Sequence, residues 1–461
     1  MGSVLCFDLG ASSGRAIIAR YKQDNLELKE IHRFSTETLK EDKKTYWNFN
    51  HIMNEIKIGI KKALKEDNDI ESIGIDTWGC DYGWIDKNGN LLRNPRSYRT
   101  EIPDKVIQEV HKKISSEKHY EICGNAYFNF NTIYQLYYDI NYEKIFSKGA
   151  QEFLFIPNLI YYKLTGKKIW EYTIASTSGL LDAKNKKWSN VIFNKLELPL
   201  EIKGDITYPG EFMFSLKKEI MEELKITKKI NVTLIAGHDS ACAVIGAPLG
   251  ESSAYLINGT WSLLGIESDK AITDSIGYKK GLVNEGALNK KIRFMSMMIG
   301  TWILQKLRSE WKEAGENIEF KNFERLASQS KISGEIDITD KFLTPDNMGN
   351  LIKEEYLKKY KIQVEEKKDI LKIAYNSLGN RYKESLDLIE KLSEKEIKNI
   401  VLLGGGNQDK FLIKTIKKYL NLPVELGPIE ASVTGNALVQ LMALGEIKNI
   451  DEVRKKIVEF K

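Results

Sequence analysis

Two short turns built from glycine and hydroxyl-bearing residues carry the most suggestive chemistry in the chain. In the first, the apolar run Val4-Leu5-Cys6-Phe7 leads into Asp8-Leu9-Gly10-Ala11-Ser12-Ser13-Gly14, and Arg15 to Ala19 returns. In the second, Ala254 to Ile257 leads into Asn258-Gly259-Thr260, and Trp261 to Gly265 returns. A turn of this composition between two apolar runs predicts a β-hairpin. Its successive backbone N–H groups can hold a phosphate without a lysine, and the hydroxyls of Ser12, Ser13 and Thr260 add donors. Two ordinary hairpins are the plainer account of either turn alone; their paired recurrence favours a polyphosphate clamped between two nests. Asp8, at the end of its strand, can hold Mg²⁺ through water against phosphate oxygens. Alternatively, it bonds its own turn.

The tetrad Gly237-His238-Asp239-Ser240 follows the apolar run Val232 to Ala236 and precedes the helix-like Ala241 to Ile245. That puts Asp239 at a strand-to-helix junction, where ligands bind in open α/β sheets. An Asp there can take a proton from a hydroxyl that attacks a γ-phosphate, or can simply cap the helix that follows. His238 beside it is either a hydrogen-bonding group for substrate or a structural histidine.

The elements that must position these residues occur twice. Each half has a hairpin, an amphipathic helix and a short strand ending in a polar turn. Ile52, Met53, Ile56, Ile60, Ala63 and Leu64 share one face of the first helix, with Asn50 as its expected cap, before the strand Ser72 to Gly79. Leu378, Tyr382, Leu386, Ile389 and Leu392 do likewise before Asn399 to Gly406. The repeat predicts a duplicated α/β domain joined near Gly246-Ala247-Pro248-Leu249-Gly250.

Several chemistries are excluded. Gly166-Lys167 lacks the Walker pattern around it, Gly404-Gly405-Gly406-Asn407-Gln408-Asp409 lacks the last glycine of a dinucleotide fingerprint, and no His-Glu-x-x-His occurs. A net charge of +5 over 461 residues, with lysine pairs scattered among acids, argues against nucleic acid or an anionic membrane as partner. The longest largely apolar stretch, Met295 to Leu304, is about half of the roughly 20 residues a membrane span needs. Asp8 and Arg15 interrupt any signal-like apolar core, so a cytoplasmic location is expected. The four cysteines, Cys6, Cys80, Cys123 and Cys242, are too widely spaced for a zinc or thioredoxin-type pair and read as reduced, packed thiols.

Together these residues resemble the FGGY carbohydrate kinases, and within that family its rhamnulokinase branch. Asp8 to Arg15 is similar to the family's first phosphate turn, and Ile73-Gly74-Ile75-Asp76-Thr77-Trp78-Gly79 with Asp81 to its sugar-site strand. Tyr98-Arg99, Trp170 to Thr173, His238 to Ala241, Gly259 to Leu263, Asn284-Glu285-Gly286, Gly404 to Gly406 and Gly427 to Ser432 follow in family order, so the match spans almost the whole chain. The resemblance implies an actin-like ATPase (ribonuclease H-like) fold, in which two duplicated α/β domains, 1–245 and 246–461, flank a deep cleft. It implies ATP and Mg²⁺ as cosubstrate and cofactor, and transfer of phosphate to a ketose: L-rhamnulose gives L-rhamnulose 1-phosphate.

Carried over residue by residue, Ala11, Ser12, Ser13, Gly14 and Arg15 are the expected first ATP contacts, and Thr260, Gln305 and Gly405 the others. Gly79, His238, Asp239 and Ser240 are the expected sugar contacts, with Asp239 as the base and Asp8 near the metal. Met297 stands where the family has a sugar-binding Asn, Ser240 where Thr is usual, and Cys242 where Ser is usual. These departures bear on which sugar is taken, L-fuculose being the second reading, rather than on the reaction. Gly79-Cys80 in place of the glycerol branch's Arg-Glu pair argues against glycerol. An actin-like ATPase with a structural or sensing role is the competing class, and the oligomeric state is left open between monomer and homo-oligomer.

Overall fold

The computed structural model describes residues 2–22 and 25–456; the outer bounds of the two expected domains, residues 1 and 461, lie outside them. The chain packs as two compact units. Unit 1 holds Met1–Pro248, Glu267–Phe294 and Glu430–Lys461, and unit 2 holds Leu249–Ile266 and Met295–Ile429.

In unit 1, strands β1 (Gly2–Leu9) and β2 (Ser13–Lys22) form the expected hairpin, with Asp8 opposite Arg15. Strand β3 (Asn25–Ser35) extends the antiparallel edge. Helix α1 (Phe49–Glu66) buries Ile52, Met53, Ile56, Ile60 and Ala63, the face expected from the sequence. Its cap is Asn48 rather than Asn50: the Asn48 side chain accepts the His51 amide, which starts the helix one residue before Asn50. Strand β4 (Ile70–Thr77) runs parallel to β1, followed across the sheet by β5 (Met213–Ser215) and β6 (Asn231–Thr233) in the order β5-β6-β4-β1-β2-β3. Helix α2 (Asp239–Ile245) follows β6.

The expected strand over 232–236 is regular only to Thr233. Beyond it the Leu234 amide bonds the Phe212 carbonyl, and the chain rejoins β4 through a single bridge between Thr77 and His238. This irregular stretch carries the tetrad to the carboxyl end of β4.

Unit 2 repeats the plan. Strands β7 (Ser253–Asn258) and β8 (Trp261–Ser268) form the second hairpin. Strand β9 (Leu282–Gly286) and the start of β10 (Ile292–Ile299) belong to unit 1, and the rest of β10 leads into α3 (Trp302–Glu313). The long helix α4 (Lys367–Ser393) precedes β11 (Asn399–Leu403), which runs parallel to β7 and is followed by β12 (Val424–Leu426). Within unit 2 the order is β10-β8-β7-β11-β12. A hairpin whose first strand pairs in parallel with the strand after a helix is therefore present in both units.

The packing units are each assembled from segments that are not contiguous in sequence. Helix α5 (Ala431–Leu444) returns to unit 1, where Val433, Ala437, Leu438 and Leu441 pack with Val4, Cys6, Ala241 and Ile245 on one face of β1. Leu5, Phe7 and Leu9 face the opposite way, onto α1. Strand β1 is thus buried on both faces, and truncating a residue at such a site, Phe7→Ala for instance, costs about 3–5 kcal/mol. The α2–α5 contact is close enough to require glycine: a Cβ on Gly435 would lie 1.9 Å from the Cys242 carbonyl oxygen. Among the described residues no helix is long and apolar enough to cross a membrane. All four cysteines are unpaired; Cys6, Cys123 and Cys242 are buried and Cys80 is half-buried.

Candidate active site

The first turn is polarised by its neighbours. The Gly10 carbonyl accepts from Thr36 Oγ1 at 2.8 Å, and the Ala11 carbonyl accepts from Arg99 Nη2 at 2.9 Å. The Ser12 carbonyl accepts from the Thr36 amide, and the Ser13 carbonyl from the Gly10 amide. All four acceptors are occupied, whereas among the described residues no hydrogen bond engages the amides of Ala11 and Ser12. Such a turn offers donors outward and hides its acceptors, the polarity an anion requires. Arg15 pairs with Asp8 and, through Nη1, with Glu430 at 2.7 Å.

Asp8 and Asp76 occupy partner positions on β1 and β4. Asp76 is fully buried; its Oδ2 accepts from Asn436 Nδ2 at 2.7 Å, and its Oδ1 has no hydrogen-bond partner. Burial first, and then the nearby Asp8 charge, push the Asp76 carboxyl well above the usual carboxylate range. An orphaned buried carboxylate oxygen beside a second carboxylate is a donor set suited to a hard divalent cation that keeps most of its waters. A closed cage is not present: among the described residues, no three His, Cys, Asp or Glu side chains group to hold a metal.

The tetrad is held from behind. Buried Glu171 accepts from the amides of Thr173, Ile174 and Gly237 and from Thr173 Oγ1, while Thr173 Oγ1 accepts the His238 amide at 3.3 Å. The cap position of α2 is His238, with no side-chain capping bond. The Asp239 carboxylate therefore does not act as the helix cap. Its Oδ1 accepts only the next amide, Ser240 N, at 2.5 Å, and stands 3.4 Å from His238 Nε2. The Asp239 side chain keeps 34 % of its surface open. Desolvation by the surrounding protein raises its pKa, His238 opposes that rise, and the Asp8 charge adds to it.

Gly79 lies against the same histidine: a Cβ there would stand 3.4 Å from His238 Nε2 and from Thr177 Oγ1. Gly79, His238, Asp239 and Ser240, expected to share a site, are thus neighbours around one imidazole. Close by in sequence, Asp81 is buried and accepts from Trp47 Nε1, Trp78 Nε1, the Tyr98 amide and Gln135 Nε2. Burial outweighs those four donors and lifts its pKa to about 6.

Unit 2 carries the second turn, built alike. The Gly259 carbonyl accepts from the Thr301 amide and hydroxyl at 2.8 and 2.7 Å, and the Thr260 carbonyl from the Gly300 amide at 3.0 Å. Among the described residues the Thr260 amide is unengaged. Thr260 Oγ1 donates to Gln305 Oε1 at 3.4 Å, and Gln305 Nε2 donates to Thr301 Oγ1 at 3.1 Å. A cavity of about 400 Å³ opens beside this turn, lined by Gly259, Leu304, Gln305, Phe320, Gly405 and Asp409, among others. Gly404 adopts φ +81°, and a Cβ on Gly405 would meet no atom within 4 Å, so the glycine run presents bare backbone. Thr260, Gln305 and Gly405 are brought together here. Met297 is half-buried on β10, in unit 2.

Among the residues of the site that escaped the sequence reading as functional groups are Asp76 and Arg293, the latter a donor to Ser240 Oγ. Both are charged residues inside apolar strands, Ile73-Gly74-Ile75-Asp76 and Ile292-Arg293-Phe294, and that misfit is the signal that could have found them.

The comparisons with known proteins agree with this architecture. Residues 3–246 match the N-terminal domain, and 254–444 the C-terminal domain, of the FGGY family of carbohydrate kinases. The rhamnulokinase of Oceanobacillus iheyensis is 33 % identical over 454 residues, covering 98 % of this chain and 96 % of that protein. The rhamnulokinase of Halalkalibacterium halodurans is 34 % identical over 461 residues, covering 100 % and 97 %. Among solved structures, a xylulose kinase from Lactobacillus acidophilus superposes with a TM-score of 0.81 at 15 % identity, covering 98 % of this chain and 91 % of that one. The glycerol kinase of Plasmodium falciparum with ADP gives 0.79 at 16 % identity, covering 99 % and 92 %. The protein has their two-domain, actin-like ATPase fold, and the chain belongs to the FGGY family of carbohydrate kinases, enzymes that transfer phosphate to a sugar.

Proposed function

We propose that this ATP-dependent sugar kinase phosphorylates L-rhamnulose to L-rhamnulose 1-phosphate, with Asp239 as general base, in the cytoplasm. The observation that carries the choice of sugar is the full-length identity to two rhamnulokinases. Met297, in place of an amide that would bond a hydroxyl, favours a second reading, L-fuculose. A buried polar partner that is missing changes discrimination between sugars more than it changes the reaction.

The first part of the chain supplies the sugar site, the base and the first phosphate turn, and the second part the remaining nucleotide contacts. Gly79, His238 and Ser240 bind the ketose, and Asp239 orients its terminal hydroxyl and accepts the proton as that oxygen bonds the γ-phosphorus; the bond to the ADP oxygen breaks. Desolvation raises the Asp239 pKa, and a carboxylate so shifted holds a transferred proton better than a free aspartate does. The open amides of Ala11 and Ser12, with Ser13, Gly14 and Arg15, receive phosphate oxygens, while Thr260, Gln305 and the bare backbone of Gly405 take the rest of ATP. Asp8, backed by Asp76, would hold Mg²⁺, which neutralises charge on the phosphates. Little covalent help is needed, since phosphoryl transfer is largely positioning and charge stabilisation.

A coupled assay with ATP, Mg²⁺ and a panel of ketoses tests the proposal. Turnover highest on L-rhamnulose supports it, turnover highest on L-fuculose selects the second reading, and ATP consumption indifferent to every sugar contradicts both.

A further inference from the structure

Behind the tetrad lies a guanidinium that no substrate can reach. Arg293 is 0 % exposed, on β10 where that strand belongs to unit 1. Its Nη1 donates to Ser240 Oγ at 2.8 Å, its Nε to the Gly286 carbonyl at 3.1 Å, and its Nη2 to Glu285 Oε2 at 2.7 Å. The same Nη2 lies 3.2 Å from His238 Nδ1, and Glu285 Oε2 is 3.3 Å from that nitrogen. One rigid fork therefore touches both residues that flank Asp239 in sequence.

A buried charge pair of this kind is weak support for stability. Desolvating both ions offsets most of their attraction, and apolar replacements of the pair are often neutral. What the fork does supply is direction. Ser240 Oγ accepts from Nη1 and also lies 3.3 Å from His238 Nδ1 and 3.2 Å from Nε2, so fork, hydroxyl and imidazole form one hydrogen-bonded set. His238, gripped at Nδ1, presents its Nε2 edge toward Asp239 and Gly79. Both polar edges are thereby set before a polyol arrives, so less ordering is required on binding.

We propose that Arg293, held by Glu285, is a positioning residue for the sugar end of the site: it fixes the outward edges of His238 and Ser240 and never touches substrate. This rests on the functional reading above, so the wild-type enzyme is assayed first on the ketose panel. If no ketose is accepted, that reading fails; if a ketose is accepted and the variants below behave as wild type, only the present inference fails.

The informative variant is the double substitution Arg293→Met with Glu285→Gln, which removes both charges and leaves neither buried alone. The expected result is a folded protein whose affinity for ATP stays within about twofold of wild type. Its KM for the ketose rises, and its kcat falls, each by about tenfold or more, the scale for lost orientation. A folded double variant with wild-type sugar kinetics overturns the proposal, because a purely structural role would lower the melting temperature without splitting sugar from ATP. Arg293→Lys keeps the charge but not the fork. It is expected to fall between wild type and the double variant in sugar KM. Should the double variant fail to fold, Arg293→Lys decides: a raised sugar KM with unchanged ATP KM upholds the proposal, and wild-type values overturn it.

Discussion

Asp8 and Asp76 stand side by side at partner positions of two parallel strands, one open to the first phosphate turn and the other fully buried behind it. Burial first, and then the neighbouring Asp8 charge, make an ionised Asp76 costly in the ligand-free protein. Asp76→Asn removes that buried, Asp8-opposed charge while keeping an acceptor for Asn436 and adding a donor toward Asp8. The variant is expected to melt about 1–4 °C higher, the shift that about 1–2 kcal/mol gives a protein of this size. It is also expected to lose most of the extra stability that Mg²⁺ with ATP gives the wild type. Thermal melts with and without Mg²⁺ and ATP check both halves.

Thr260 and Gln305 bond each other beside the cavity of unit 2. Thr260→Val and Gln305→Leu each remove a polar group from the proposed nucleotide site. Each is expected to raise the KM for ATP about 2–10-fold, the worth of one neutral hydrogen bond, with the sugar KM unchanged. Steady-state kinetics with each substrate varied in turn provide the check.

Asp81 titrates near pH 6 in the fold, against about 3.9 in an unfolded chain. Between those values the folded state binds the extra proton, so this group contributes stability as pH falls through 6 toward 4 and withdraws it as pH rises. Asp81→Asn abolishes that dependence. The difference in unfolding free energy between wild type and variant is expected to shift in favour of wild type by about 2 kcal/mol from pH 7 to pH 4. Denaturant melts across that range measure it.

Gly404 sits at φ +81° and ψ −172°, a conformation that side chains rarely adopt, and a Cβ there would stand 3.3 Å from the Asn258 carbonyl oxygen. Gly404→Ala is expected to cost about 1–3 kcal/mol and to raise the KM for ATP. A lowered melting temperature together with that kinetic change would be the signature.

Local features of the fold were legible in the sequence. Both hairpins follow from apolar runs that flank a Gly/Ser turn, and the α1 face follows from the spacing of Ile52, Ile56 and Ile60. Features fixed by contacts far apart in the chain were not. Nothing near Glu430 announces that α5 returns to unit 1; that depends on Gly435 meeting Cys242 across nearly two hundred residues. The strand after Asn231 loses regularity at Leu234 because its bonds go to Phe212 and Glu171 rather than to a ladder. The tetrad itself was found, but its support was not: the roles of Glu171 and Arg293 exist only once β10 and the Glu171 segment are brought beside His238.

The Asp239 carboxylate is the centre of the proposed mechanism. Asp239→Asn keeps the shape and the contact with Ser240 N but cannot take a proton. Its turnover on the accepted ketose is expected to fall by about 10²–10⁴-fold, the usual share of general-base catalysis, while ATP binding measured by calorimetry is unchanged. Turnover within a few-fold of wild type would contradict the assignment of this carboxylate as the base, and with it the proposed mechanism.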